Sequence, residues 1–111
     1  MHGCTIVGVT TGLVTSGYTN GSVNNTAVLN VTNFCTDGTK LTGDYNATNA
    51  ATAQGGAHEL TSLTSADQIV NVSTDLRAKS TDSLQAGTPD TTNLPDDISG
   101  TTRHATTPWI G

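Results

Sequence analysis

Apolar residues in this chain come in short bursts. Ile6-Val7-Gly8-Val9-Thr10 recurs, shifted by 22 positions, as Val28-Leu29-Asn30-Val31-Thr32, and four of the five pairs are identical or conservative. In the same register Leu13 falls on Cys35 and Gly21 on Gly43. Each unit reads as a short apolar strand, a Thr/Gly-rich bend, and a weaker strand over 13–18 or 40–45. No helical period survives, because β-branched residues and glycine interrupt every candidate window. A unit this short cannot bury its apolar strand alone, but it can when stacked on a neighbour. The pattern predicts an all-β chain, a parallel solenoid in which Ile6 lies against Val28 and Val9 against Val31. Threonine and asparagine suit such stacking, since their hydroxyls and amides hydrogen-bond along a ladder.

The period divides the chain into one domain of three parts. Residues 1–45 hold two coils, 46–59 a small and polar loop, and 60–111 the last coil with an irregular C-terminal cap. Within the last part, Ser65-Ala66-Asp67-Gln68 reads as a short turn or a single helical turn and Ile69-Val70-Asn71-Val72 as a strand. A second short strand is expected over 75–79, and from residue 83 the chain is rich in turns.

Composition narrows the classes of function. Ile, Leu, Val and Phe supply only 21 of 111 residues, near the floor for a chain that buries a core. Only 12% of residues are charged, and 23 threonines, 12 glycines and 9 asparagines take the place of the missing apolar groups, which favours strands and tight turns over plain disorder. The net charge is −5, and Lys40, Arg77, Lys79 and Arg103 are the only strong cations. Four scattered cations cannot displace counterions from phosphates, so no nucleic-acid partner is expected. Apolar runs of three or four residues fall far below the roughly 20 that span a bilayer, so no membrane insertion is expected. Residues 1–20 lack the basic start and apolar stretch of a signal peptide, so either an export address lies outside these 111 residues or export is by lysis or a dedicated machine.

Several segments resemble the ending of right-handed parallel β-helix proteins. Asp44-Tyr45-Asn46-Ala47-Thr48, followed by Gly55-Gly56, resembles their "Y-N" loop, and the stretch from Ser80 to Gly87 their "D-A-G" turn. Asp97-Ile98-Ser99-Gly100-Thr101-Thr102-Arg103 resembles "D-I-D-G-x-x-R", and Trp109-Ile110-Gly111 resembles the start of a terminal "D-I-G-A-x-E". Ser99, Gln85 and Trp109 stand where that pattern has aspartate. The resemblance covers roughly 44–111 and implies the end of a longer β-helix of a bacterial surface or secreted protein, or of a phage tail. The expected setting is extracellular, on a cell surface or on a virion. The expected role is structural or adhesive, with polysaccharide as partner beside the rest of the β-helix or further copies of the chain. The alternative is the non-catalytic end of a polysaccharide lyase or glycoside hydrolase.

Candidate chemistry is sparse. Tyr18, Tyr45 and Trp109 offer aromatic faces on which sugar rings stack, and are the expected carbohydrate-binding residues; Tyr45 and Trp109 read equally well as core plugs covering the last coil. Asp96 and Asp97 lie close to Arg103; a calcium or carbohydrate site is one reading, and a turn in which Asp97, Gly100 and Arg103 order the tail is preferred. Asp37 and Asp44 sit in predicted turns, and glycoside cleavage would need such a pair to converge. His2, His58 and His104 show no metal-ligand spacing, and no cofactor fingerprint is present. Cys4 and Cys35 read as two small buried thiols rather than a bridge. Asn20, Asn24, Asn30, Asn46 and Asn71 open N-x-S/T triplets, which this composition produces by chance. No catalytic residue is assigned. Two coils leave an open apolar end at Ile6, Val7 and Val9, so self-association or partial unfolding is expected.

Overall fold

The computed structural model describes residues 1–79, Leu84 and Ile110. The chain is mostly short strands: β1 (Thr5–Val7), β2 (Thr11–Leu13), β3 (Gly21–Ser22), β4 (Ala27–Leu29), β5 (Asn33–Cys35), β6 (Leu41–Thr42) and β7 (Ala47–Thr48). A single helical turn, α1 (Ser65–Gln68), then leads into β8 (Ile69–Asn71) and β9 (Asp75–Ala78).

Strands β1 to β7 form three parallel sheets, ordered β1-β4-β7, β2-β5 and β3-β6. The sheets are short and do not close. Thr5 pairs with Ala27, Ile6 with Val28 and Val7 with Leu29, while Leu13 pairs with Cys35. These are the 22-residue offsets of the apolar bursts. Beyond Cys35 the offset drops to 20: Gly21 pairs with Leu41, not with Gly43, and Ala27 pairs with Ala47. The cause is a shorter corner. Seven residues (14–20) join β2 to β3, but five (36–40) join β5 to β6, where the chain tightens into a 3₁₀ turn at Gly38–Lys40. Asp37 caps that turn, its Oδ1 accepting from Thr39 N at 3.0 Å and Thr39 Oγ1 at 2.6 Å.

Three other expectations need correction. The weaker strands are shorter than 13–18 and 40–45: β2 ends at Leu13, and β6 is two residues long. Val9 sits outside the ladder in the bend after β1 and is 43% exposed, whereas Val31 is buried. The stretch expected as a loop from residue 46 opens with a third rung, since β7 pairs with β4 and is fully buried.

Side-chain amides continue the ladders where strands stop. Asn49 Oδ1 accepts from Val31 N at 2.9 Å, and its Nδ2 donates to Val31 O at 2.8 Å. Buried Asn46 accepts from Thr26 N at 3.0 Å and donates to Val23 O at 3.0 Å. Thr15 and Thr36 are joined through their hydroxyls at 2.8 Å. Hydrogen-bonded in this way, Thr26, Asn46 and Thr48 are buried at little desolvation cost. Gly43, at φ 137°, lets the chain pass close to the backbone just after β3: a Cβ there would lie 1.9 Å from Val23 O.

Two apolar clusters fill the interior. Val23, Val28, Val31, Phe34 and Ala50 form one, and Ala27, Leu29, Ala47, Ile69, Leu84 and Ile110 the other. The second joins β4 and β7 to Ile69 of β8, with Leu60 bridging Ala47 and Ile110 N donating to Leu84 O at 2.7 Å. The helical turn and both late strands form where expected, with β8 and β9 paired as an antiparallel hairpin. Cys4 and Cys35 are free and half-buried, and burial, with Asp37 nearby, pushes the Cys35 thiol pKa up.

Candidate functional site

The densest group of polar and titratable side chains gathers where β6 gives way to β7. Asn24 Oδ1 fixes the backbone of Asp44 by accepting from its N–H at 3.0 Å. Tyr45 then takes a left-handed conformation, φ 57°, which turns the chain into β7. The Asp44 carboxylate collects three donors. Its Oδ1 accepts from Tyr45 N at 2.9 Å and His58 N at 2.6 Å, and its Oδ2 from His58 Nδ1 at 2.6 Å. The imidazole of His58 lies flat over the Tyr45 ring, with centroids 4.5 Å apart and 8° between planes. Asp44 thereby closes the loop that follows β7.

Glu59 stands behind this clasp. Its Oε1 accepts from Gln54 Nε2 at 2.6 Å and Asn46 Nδ2 at 3.1 Å. Among the described residues its Oε2 and Gln54 Oε1 are buried without a hydrogen-bond partner. Burial pushes the Glu59 pKa up, only partly offset by the Asn46 and Gln54 amides. For Asp44, partial burial acts in the same upward sense, but the hydrogen bonds from His58 and Tyr45 outweigh it and hold the carboxyl below its ordinary value. Gly56 is needed here for space: a Cβ would sit 2.6 Å from Gly43 O and 2.7 Å from both Asp44 Oδ1 and Glu59 Oε1.

The expected aromatic residues do not come together as one platform. Tyr45 is half-buried under His58. Tyr18 is 64% exposed and lines a groove of about 330 Å³ with Met1, Leu13, Val14, Val23 and Leu41, which Tyr45 does not line. Trp109 lies outside the described residues, as do Asp96, Asp97, Gly100, Arg103 and His104. Asp37 and Asp44 serve separate turns, Asp37 holding Thr39 and Asp44 holding Tyr45 and His58. Of the N-x-S/T asparagines, Asn46 is fully buried and Asn24 is bonded to Asp44 N; Asn71 caps its own turn by accepting from Ser73 N at 2.9 Å.

His58, Glu59 and Gln54 escape a reading by spacing, because they meet Asp44 and Asn46 only after the loop closes. The one hint was an Asp-Tyr-Asn corner followed by Gly-Gly and a histidine. Among the described residues no group of three or more His, Cys, Asp or Glu side chains is placed to hold a metal ion, and no helix is long and apolar enough to cross a membrane. The chain matches no protein-family model, no curated protein and no solved structure.

Proposed function

We propose that the chain is a rigid segment of a right-handed parallel β-helix with a structural and adhesive role in an extracellular surface or virion protein, contacting polysaccharide from its lateral side. One observation carries this reading: the sheets are visited in the same order, β1-β2-β3 and then β4-β5-β6, before β7 returns to the first. Pairing in three parallel sheets at offsets of 22 and then 20 residues supports a coiled path. A stacked coil suits a stalk, because each rung is held by the next along its whole path.

The charged side chains support a structural role over a hydrolytic one. Among the described residues Asp37 caps a turn, Asp44 closes a loop and Asp75 pairs with Arg77, so these three carboxylates are held in structural contacts. Affinity electrophoresis through gels cast with polysaccharides tests the adhesive part. Retardation that weakens in Tyr18→Ala is the expected result, and equal mobility in all gels would remove polysaccharide from the proposal. Turnover of any of these polymers would move the reading to the lyase or hydrolase class.

A further inference from the structure

We infer that Glu59 closes the loop after β7 as a neutral acid whose proton is shared with Gln54, and that its ionisation opens this loop. The geometry of the two side chains carries the inference. Gln54 Nε2 donates to Glu59 Oε1 at 2.6 Å, which leaves each group one further oxygen. Both of those oxygens, Gln54 Oε1 and Glu59 Oε2, are buried without a partner among the described residues. Two acceptors cannot satisfy each other, and an ionised carboxylate brings no donor. One proton on Glu59 Oε2 serves both. The acid then donates to the amide oxygen while it accepts from the amide nitrogen, and two hydrogen bonds close a ring. Neither buried oxygen is left with an unmet desolvation cost.

The surroundings of Glu59 favour the acid. Asp44 faces it across Gly56, where an added Cβ would lie 2.7 Å from Asp44 Oδ1 and Glu59 Oε1 alike. Hydrogen bonds from Tyr45 and His58 favour the ionised form of Asp44, so a second charge beside it is disfavoured. His58, next in the chain, turns its ring to Asp44 and Tyr45. From β7, Asn46 offers Glu59 an amide. From the 3₁₀ turn, Asp37 holds Thr39, and neither it nor Lys40 is bonded to Glu59. Burial, with the charge of Asp44, pushes the Glu59 pKa up. The loop itself depends on side chains, since among the described residues 51–57 make no backbone–backbone hydrogen bond. Its middle rests on the 3₁₀ turn: a Cβ added at Gly38 would meet Gln54 Cα at 3.4 Å and Ala53 O at 3.5 Å. Beside this contact β5 and residues 50–53 line a groove of about 350 Å³, which widens when Gln54 lifts away. Protons favour the closed loop fully below the open-loop pKa of the carboxyl. That advantage is lost as pH rises through the higher closed-loop value.

Carbon-13 titration of the Glu59 carboxyl tests this, with nuclear Overhauser contacts between Gly38 and Gln54 followed at each pH. Glu59 should titrate above the ordinary value of about 4.3, and the Gly38–Gln54 contact should fade through the same midpoint. Across the titration the closing equilibrium should fall about tenfold for each pKa unit that separates the closed loop from the open one. In Glu59→Gln an amide rebuilds the ring without a titrating proton, so the contact should persist wherever Asp44 stays ionised. Contacts between Ile6 and Val28 should hold throughout, which separates loop opening from loss of the stack. A Glu59 midpoint at or below the ordinary value overturns the inference, since water or a cation would then serve an ionised carboxylate. So does a Gly38–Gln54 contact that outlasts the ionisation of Glu59. A contact that still fades with pH in Glu59→Gln overturns it as well, because the change would belong to His58. The wild-type titration decides the matter even if the variant does not fold.

Discussion

The stacked segment from β1 to β7 and the hairpin β8–β9 draw on the same few residue types, yet opposite kinds of contact hold them. In the stack, every ladder joins residues 20 or 22 apart, and the interior mixes Val28 and Leu29 with buried Thr26, Asn46 and Thr48. In the hairpin the contacts are local: Asn71 caps the turn, Asp75 holds Arg77, and Val70 and Leu76 stay about half exposed. A chain poor in large apolar residues can build a core where parallel strands from distant parts of the sequence pair, because Ala27 and Thr48 are then covered by neighbouring strands. A hairpin cannot do so alone and depends on Ile69 reaching the core.

That contrast can be broken most severely at Gly43. Gly43→Ala would place a Cβ 1.9 Å from Val23 O, and denaturant unfolding should show a loss of about 4 kcal/mol, a large part of a small domain's stability. Asn46→Ala comes next. It strips partners from Thr26 N, Val23 O and Glu59 within a buried site, with an expected cost of about 2–4 kcal/mol. The corresponding change in the hairpin, Asn71→Ala, removes bonds to Ser73 N and Thr74 N at an exposed turn and should cost only about 0.5–1 kcal/mol. Equal losses for the two asparagines would erase the distinction between the regions.

Acidity separates the two carboxyls at the clasp. Glu59 has a raised folded pKa, so its ionisation weakens the fold: the penalty is full above that pKa and is relieved as pH falls through it. Asp44 has a lowered folded pKa, so its contribution is full above the unfolded value near 3.9 and is lost as pH falls through the folded value. Thermal unfolding should therefore rise slightly from neutral to mildly acidic pH and then fall. In Glu59→Gln the rise should vanish and the acid fall remain. The smallest effect belongs to Asp75, which Arg77 lowers to about 2. Arg77 is exposed and the pair lies at the surface, so Asp75→Asn should leave the unfolding midpoint unchanged within error at moderate salt.

The first two rungs were legible because Ile6, Val7 and Leu13 fall on Val28, Leu29 and Cys35, so apolar pattern and backbone pairing share one offset. The third rung was hidden. Ala47 and Thr48 have none of the bulk that marks a strand, and they are small because β7 lies between β4 and the bridging Leu60. The slip from 22 to 20 lies in a corner, where a cap from Asp37 shortens the turn and no apolar residue records the change. The Asp44–His58 clasp joins residues 14 apart through a loop with no period.

The stacked register is the claim on which the rest depends, and nuclear Overhauser contacts between backbone protons test it most directly. Contacts linking Thr5 to Ala27, Gly21 to Leu41 and Ala27 to Ala47 are the predicted result. Contacts linking Gly21 to Gly43, or none between residues 20 to 22 apart, would contradict it.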